Sequence, residues 1–196
     1  MIELTKKEQE ALLILYKDIS NFYNANSLSK ELKITQVGTM KLLKRFEKNN
    51  VLIGKRIGKS IVYKTNIGDE FVQKLIAFAL INEASNYPRW KDEFKSLYKE
   101  DRILLFYGSA SRNYSNAKDI DLFIIINKRD SNEVSKKLEK IQSILPKPIH
   151  LIKATKEDLV KNINEKNKAM VDIIKTAIVL CGYNKYTEIV NGFTSF

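Results

Sequence analysis

Hydrophobic positions along this chain change their period several times, and each change marks an element. Behind Thr5, a residue suited to capping a helix, Ala11, Leu12, Leu15 and Ile19 recur at helical spacing. A second short helix fits Ser27 to Leu32, and a third begins at Thr35 after a Lys33-Ile34 turn. In the third, a spacing of three places Val37, Met40, Leu43 and Phe46 inside and leaves Gln36, Thr39, Lys41, Arg45 and Lys48 outside. The period then drops to two: Val51 to Ile57 and Ser60 to Thr65 alternate around Gly58-Lys59, which predicts a hairpin.

Helical spacing returns over residues 67–101 as two helices broken at Pro88, with no Gly/Ser-rich tether. The first carries Phe71, Leu75, Phe78 and Ala79 on one face; the second gathers Trp90, Phe94, Leu97 and Tyr98. Trp90 reads as an anchor in a domain or dimer interface. Two strand-length apolar runs follow, Ile103 to Tyr107 and Ile120 to Ile126, separated by Gly108-Ser109 and a polar loop. Further on come an amphipathic helix, Asn132 to Ile144, and a strand from Ile149 to Lys153 after Leu145-Pro-Lys-Pro148. A helix opens at Thr155 to Asp158, a long helix runs from Asn164 to Cys181, and Gly182 ends it. Tyr183 to Val190 forms a last short piece, and residues 192–196 read as a tail. The pattern is α+β, in three parts: 1–66, 67–101 and 102–196.

Charge separates the first part from the rest. The formal charge is +11, and residues 1–66 hold +7 of it, with 13 Lys/Arg against 6 Asp/Glu. That concentration favours a polyanionic partner at the N-terminus. Three helices and a hairpin with a basic tip resemble the winged helix-turn-helix domain of bacterial and archaeal transcription regulators. The resemblance implies that the third helix enters the major groove of double-stranded DNA. Gln36 and Thr39 would then reach base edges, Lys41, Lys44 and Arg45 would meet bases or phosphates, and Lys55, Arg56 and Lys59 of the wing would contact the backbone. A homodimer follows from palindromic recognition. A winged helix can equally serve as a protein–protein scaffold.

The chemistry lies in the third part. Asp119 and Asp121 are two apart at the entrance to the most apolar run, so the strand period puts both carboxylates on one face. Carboxylates entering a buried strand need a neutralising partner, and a divalent cation is the usual one. Gly108 permits close backbone approach or positive φ, Ser109 is placed to cap a short helix facing an anion, and Arg112 is near enough to meet a phosphate.

Gly108-Ser109, Arg112 and Asp119-Ile-Asp121 resemble the signature of polymerase-β-like nucleotidyltransferases, in particular the minimal branch found in toxin–antitoxin pairs with HEPN proteins. The resemblance implies a small mixed β-sheet covered by helices. ATP or another nucleoside triphosphate would lie at Gly108, Ser109 and Arg112, and Mg2+ or Mn2+ on Asp119 and Asp121, which would also be catalytic. The family places a third Asp on a later strand. Here that strand reads Ile149-His-Leu-Ile-Lys153, and His150 occupies the matching position. His150 can be a base or metal ligand, or a half-buried structural residue. Glu157 and Asp158 fall in the first turn of a helix, where acidic residues favour the dipole, so they read as capping groups.

Three functions fit: a DNA-binding regulator or antitoxin-like protein whose nucleotidyltransferase-fold domain binds ATP and Mg2+, with AMP transfer left open; an active transferase modifying a protein, tRNA or small molecule; and an inactive fold used as a sensor or dimerisation module. A HEPN-type toxin or a protein acceptor is the implied further partner. The single cysteine, Cys181, excludes an internal disulfide and reads as a buried helix residue. With no apolar run of membrane length and no apolar leader, the expected location is cytoplasmic, without a membrane partner.

Overall fold

The computed structural model describes residues 4–193; Thr194, Ser195 and Phe196 of the expected tail lie outside the described residues. The chain divides into two compact units, Met1–Ala79 with Val190–Phe196, and Leu80–Ile189.

In the first unit, α1 (Lys6–Lys17) starts from a reciprocal capping box, Thr5 accepting from the Glu8 N–H while the Glu8 carboxylate accepts from the Thr5 N–H. Asn24 caps α2 (Ala25–Leu32), Lys33 turns the chain at φ 53°, and Thr35 caps α3 (Gln36–Lys48). The hairpin of β1 (Leu52–Ile57) and β2 (Ser60–Thr65) closes on Gly58, and Tyr63 also bridges to Tyr23. This is a winged helix-turn-helix. Its core is built from Leu12, Leu15, Tyr16, Leu28, Leu32, Leu43, Phe46 and Tyr63.

The inward face of α3 differs from the expectation. Leu43 and Phe46 are buried, but Val37 and Met40 are 59% and 42% exposed, and Thr39 and Leu42 take their places. A step of three drifts around a helix of 3.6 residues per turn, so positions that start on one face leave it within two turns. Thr39 is fully buried and its hydroxyl donates to the Thr35 carbonyl, so it faces the core and not a base edge.

The helix α4 (Glu70–Ser85) buries Val72, Ile76, Ala79 and Leu80 and exposes Phe71 and Phe78. Pro88 opens α5 (Pro88–Glu93) at the first helical position, where its missing N–H costs nothing, and a 3₁₀ turn follows at Lys95–Leu97. Trp90 packs inside the second unit, stacked on Phe94 at 5.8 Å and against Phe106 at 4.9 Å. It anchors this unit's own core.

A four-stranded sheet organises the second unit in the order β5-β4-β3-β6. The strand β3 (Ile103–Tyr107) runs into the short helix α6 (Gly108–Arg112), and β4 (Ile120–Ile125) returns antiparallel to β3. The crossover helix α7 (Ser131–Gln142) leads to β5 (Ile149–Ala154), parallel to β4. Leu104, Phe106, Leu122 and Ile124 face a core shared with Trp90, Phe94, Leu97, Val134 and Ile141.

After β5 come α8 (Lys156–Asn164), α9 (Lys168–Thr176), β6 (Ile178–Cys181) and α10 (Tyr183–Asn191). The long helix expected from Asn164 to Cys181 is therefore a helix and a strand. Lys166 breaks the path at φ 51°, Asn167 caps a new helix, and Ile178-Val-Leu-Cys181 adds a fourth strand beside β3. The apolar run suits either period; an open sheet edge decides it. Cys181 is thus a buried strand residue, and burial pushes its thiol up to about 11. Among the described residues no helix is long and apolar enough to cross a membrane.

Candidate nucleotide and metal site

Strand register assembles the site. Tyr107 of β3 pairs with Asp121 of β4, and Asp121 pairs with His150 of β5, so three neighbouring strands present these residues side by side. Asp119 stands one residue before β4, and its Oδ2 lies 3.3 Å from His150 Nδ1, with Asp121 Oδ1 at 3.9 Å. One ligand-type atom from each of Asp119, Asp121 and His150 falls within 4.8 Å of the others. His150 is not the half-buried structural residue of the second reading. Its side chain is 61% exposed, more than either carboxylate, and its ring faces both.

Burial, and then the neighbouring Asp119, push the Asp121 carboxyl above its ordinary value, with His150 opposing. Burial and the two aspartates likewise raise the Tyr107 hydroxyl. Two carboxylates and an imidazole are a donor set that a divalent metal ion accepts.

Gly108 is required here for two reasons. Its φ is +75°, and a Cβ at this position would sit 2.0 Å from Asp121 Oδ2, so the backbone lies directly against the carboxylate. Ser109 is exposed but caps nothing. The cap position of α6 is Tyr107, and Ser109 lies inside the helix, because the chain enters it two residues earlier than a Ser109 cap would have it. Arg112 is exposed at the end of α6.

One contributor had no signal in its spacing. Lys147, between two prolines, donates from Nζ to the carbonyls of Tyr114 and Ala117 and lies 4.3 Å from the Tyr114 ring centroid. Arg89 covers the same ring at 4.6 Å. Together they pin the loop between α6 and β4, which sets where Asp119 enters the site. Only the fold brings Lys147 to that loop. Asp158 is engaged elsewhere, accepting from the Thr155 N–H and hydroxyl as part of the α8 cap. A separate cleft of about 550 Å³ at the far end of β4, lined by Asp101, Asn127, Lys128, Glu157, Lys185 and Glu188 among others, contains none of the expected site residues.

On the winged helix, Gln36, Lys41 and Lys44 are exposed along α3, and Lys55, Arg56 and Lys59 are exposed on the wing. Arg45 is exposed in part and pairs with Glu8 at 2.7 Å.

Among solved structures, the chain is similar to the adhesin competence repressor of Streptococcus pyogenes, at 16% identity over 47% of this chain and 67% of that one, with a TM-score of 0.39. It is also similar to Lactococcus lactis ZitR in complex with DNA, at 13% identity over 74% of this chain and 77% of that one, with a TM-score of 0.36. No curated protein sequence matches the chain. Residues 88–180 match the family model described as the nucleotidyltransferase domain, which spans β3, the Gly108 turn, both aspartates and His150. The nucleotidyltransferase-domain match and the N-terminal winged helix thus lie in one polypeptide.

Proposed function

We propose that this protein is a DNA-binding regulator whose C-terminal domain binds a nucleoside triphosphate, ATP among them, together with a divalent cation. The observation that carries the nucleotide half is the convergence of Asp119, Asp121 and His150 against the Gly108 turn. In this reading Asp119 and Asp121 hold the cation, which supplies charge neutralisation for the phosphates. Ser109 and Arg112 meet the phosphate oxygens. The DNA half is supported by the basic exposed rows of α3 and the wing. Two copies on a palindromic site fit this arrangement.

The second reading, nucleotidyl transfer to a protein, tRNA or small-molecule acceptor, is favoured by the same cluster. His150 stands where the family's third carboxylate would be, so the three positions are all filled by groups able to hold a metal or a proton.

Label transfer from ATP carrying a labelled α-phosphate, alongside equilibrium binding of the same nucleotide, separates the two. Binding that needs Asp119 and Asp121, without label transfer into a host lysate, is the expected result for the regulator. Label that appears with wild type and vanishes with Asp119→Asn/Asp121→Asn makes the protein a transferase. Nucleotide binding that survives the double substitution sinks both readings.

For the DNA half, duplex affinity is expected to fall linearly on a log–log plot against salt. The slope should shrink by about 0.9 for each phosphate that Lys55→Ala/Arg56→Ala/Lys59→Ala no longer neutralises. A slope unchanged by the triple substitution would remove the wing from the interface.

A further inference from the structure

An all-oxygen magnesium site would differ from this one at a single residue, and that residue is the only histidine in the chain. Mg2+ is a hard ion that favours oxygen ligands and keeps its waters, whereas imidazole suits the divalent transition metals. The placement of His150 is unlike that of a structural histidine. It is exposed on an edge strand, and among the described residues the two carboxylates are its polar partners, at 3.3 and 3.9 Å. Parallel pairing with β4 fixes it directly opposite Asp121, so strand register, rather than a flexible loop, holds the imidazole at the carboxylates.

We infer that His150 is a ligand to the cation at this site, and that the site therefore selects a divalent transition-metal ion such as Mn2+ over Mg2+. The inference rests on the reading of Asp119 and Asp121 as cation ligands. It competes with a different role, in which the imidazole pairs with the two carboxylates in place of a metal and makes the domain a metal-free binder.

The test uses the full chain without an affinity tag, so that His150 remains the only histidine. Mn2+ is titrated with and without ATP and followed by electron paramagnetic resonance. Pulsed measurements on the bound ion then look for coupling to an imidazole nitrogen. The expected result is Mn2+ bound with a nitrogen coupling that changes when histidine alone is labelled with nitrogen-15, and that is absent in His150→Gln.

His150→Asp, which restores a third carboxylate, should let Mg2+ displace Mn2+ at about tenfold lower concentration than in wild type. Unchanged Trp90 fluorescence in both variants shows that the unit is folded. Bound Mn2+ that needs Asp121 but shows no nitrogen coupling, or that Mg2+ displaces equally from wild type and His150→Gln, overturns the inference while leaving the cation reading standing. No Mn2+ bound with or without ATP overturns both.

Discussion

Arg102→Ala is expected to cost the C-terminal unit about 3–5 kcal/mol, a large share of the ~5–15 kcal/mol that stabilises a typical domain. Arg102 is the largest fully buried side chain of the described residues, at 0% exposure just before β3. One guanidinium nitrogen donates to the Leu97 carbonyl at 3.2 Å, another to Glu133 Oε2 at 2.6 Å, and Asp130 Oδ1 lies 3.9 Å away. Truncation opens a cavity and leaves Leu97 without its donor. It also leaves the buried Asp130 with Lys99, at 3.5 Å, as its one cationic partner among the described residues. Hydrogen bonds from Lys137 and Arg102 hold the Glu133 carboxyl down to about 2. Its stabilising share is therefore present above the ordinary glutamate range and is lost as pH falls toward 2, a loss that Arg102→Ala should reduce.

Urea denaturation followed by Trp90 fluorescence reads this unit, because the chain has one tryptophan and it is buried there. Lys137→Ala, which removes a 2.7 Å pair between partly exposed groups, is the control and should cost less than about 1 kcal/mol. Equal costs for the two variants would mean that burial of the guanidinium is not what matters.

Arg102 illustrates what the sequence could not show. Nothing in the spacing of Arg102, Asp130 and Glu133 marks them as neighbours, since the 3₁₀ turn before β3 and the start of α7 meet only in the fold. Legible parts were those fixed locally. Thr5 and Thr35 sit at helix starts and cap them, and the Gly58-Lys59 hairpin closes between the two runs that alternate, whereas the second helix starts at Ala25 behind an Asn24 cap, two residues ahead of the expected Ser27. The carboxylate pair was legible as well, because a strand's period of two decides which face Asp119 and Asp121 share.

Faces of helices were less so. On α4 the buried stripe is Val72, Ile76 and Leu80, and the larger Phe71 and Phe78 point outward, so hydrophobic size misjudged the phase. The fourth strand was hidden for a different reason: Ile178 to Cys181 carries no helix or strand signature of its own and depends on the free edge of β3. The orientation of His150 depends in turn on parallel register between strands whose facing residues are 29 apart in the chain, Asp121 and His150.

The functional counterpart of Arg102 is Gly108. Gly108→Ala is expected to weaken divalent-cation binding by about 10–100-fold while costing the fold only about 1–2 kcal/mol. The stability term comes from φ +75°, a conformation that an alanine tolerates poorly. The binding term comes from position. The new Cβ would lie 2.0 Å from Asp121 Oδ2, 2.9 Å from its Cγ and 3.1 Å from its Cβ.

Asp121 cannot retreat as a residue, because its backbone is paired with Tyr107 on one side and His150 on the other. Its carboxylate must rotate instead, and rotation takes it out of the cluster with Asp119 and His150. Gly182→Ala supplies the contrast. There the added Cβ meets backbone, the Arg102 carbonyl oxygen at 2.2 Å and Ile103 Cα at 2.9 Å, so the cost falls on stability and the proposed cation site is spared in whatever protein remains folded.

Mn2+ titration and urea denaturation of both variants separate the effects. A Gly108→Ala protein that binds Mn2+ as wild type does would show that the carboxylate has room to turn without leaving the ion, and would remove the close approach of Gly108 as the reason for glycine at this turn. A loss of binding with the denaturation midpoint little changed ties the turn to the ion rather than to the fold.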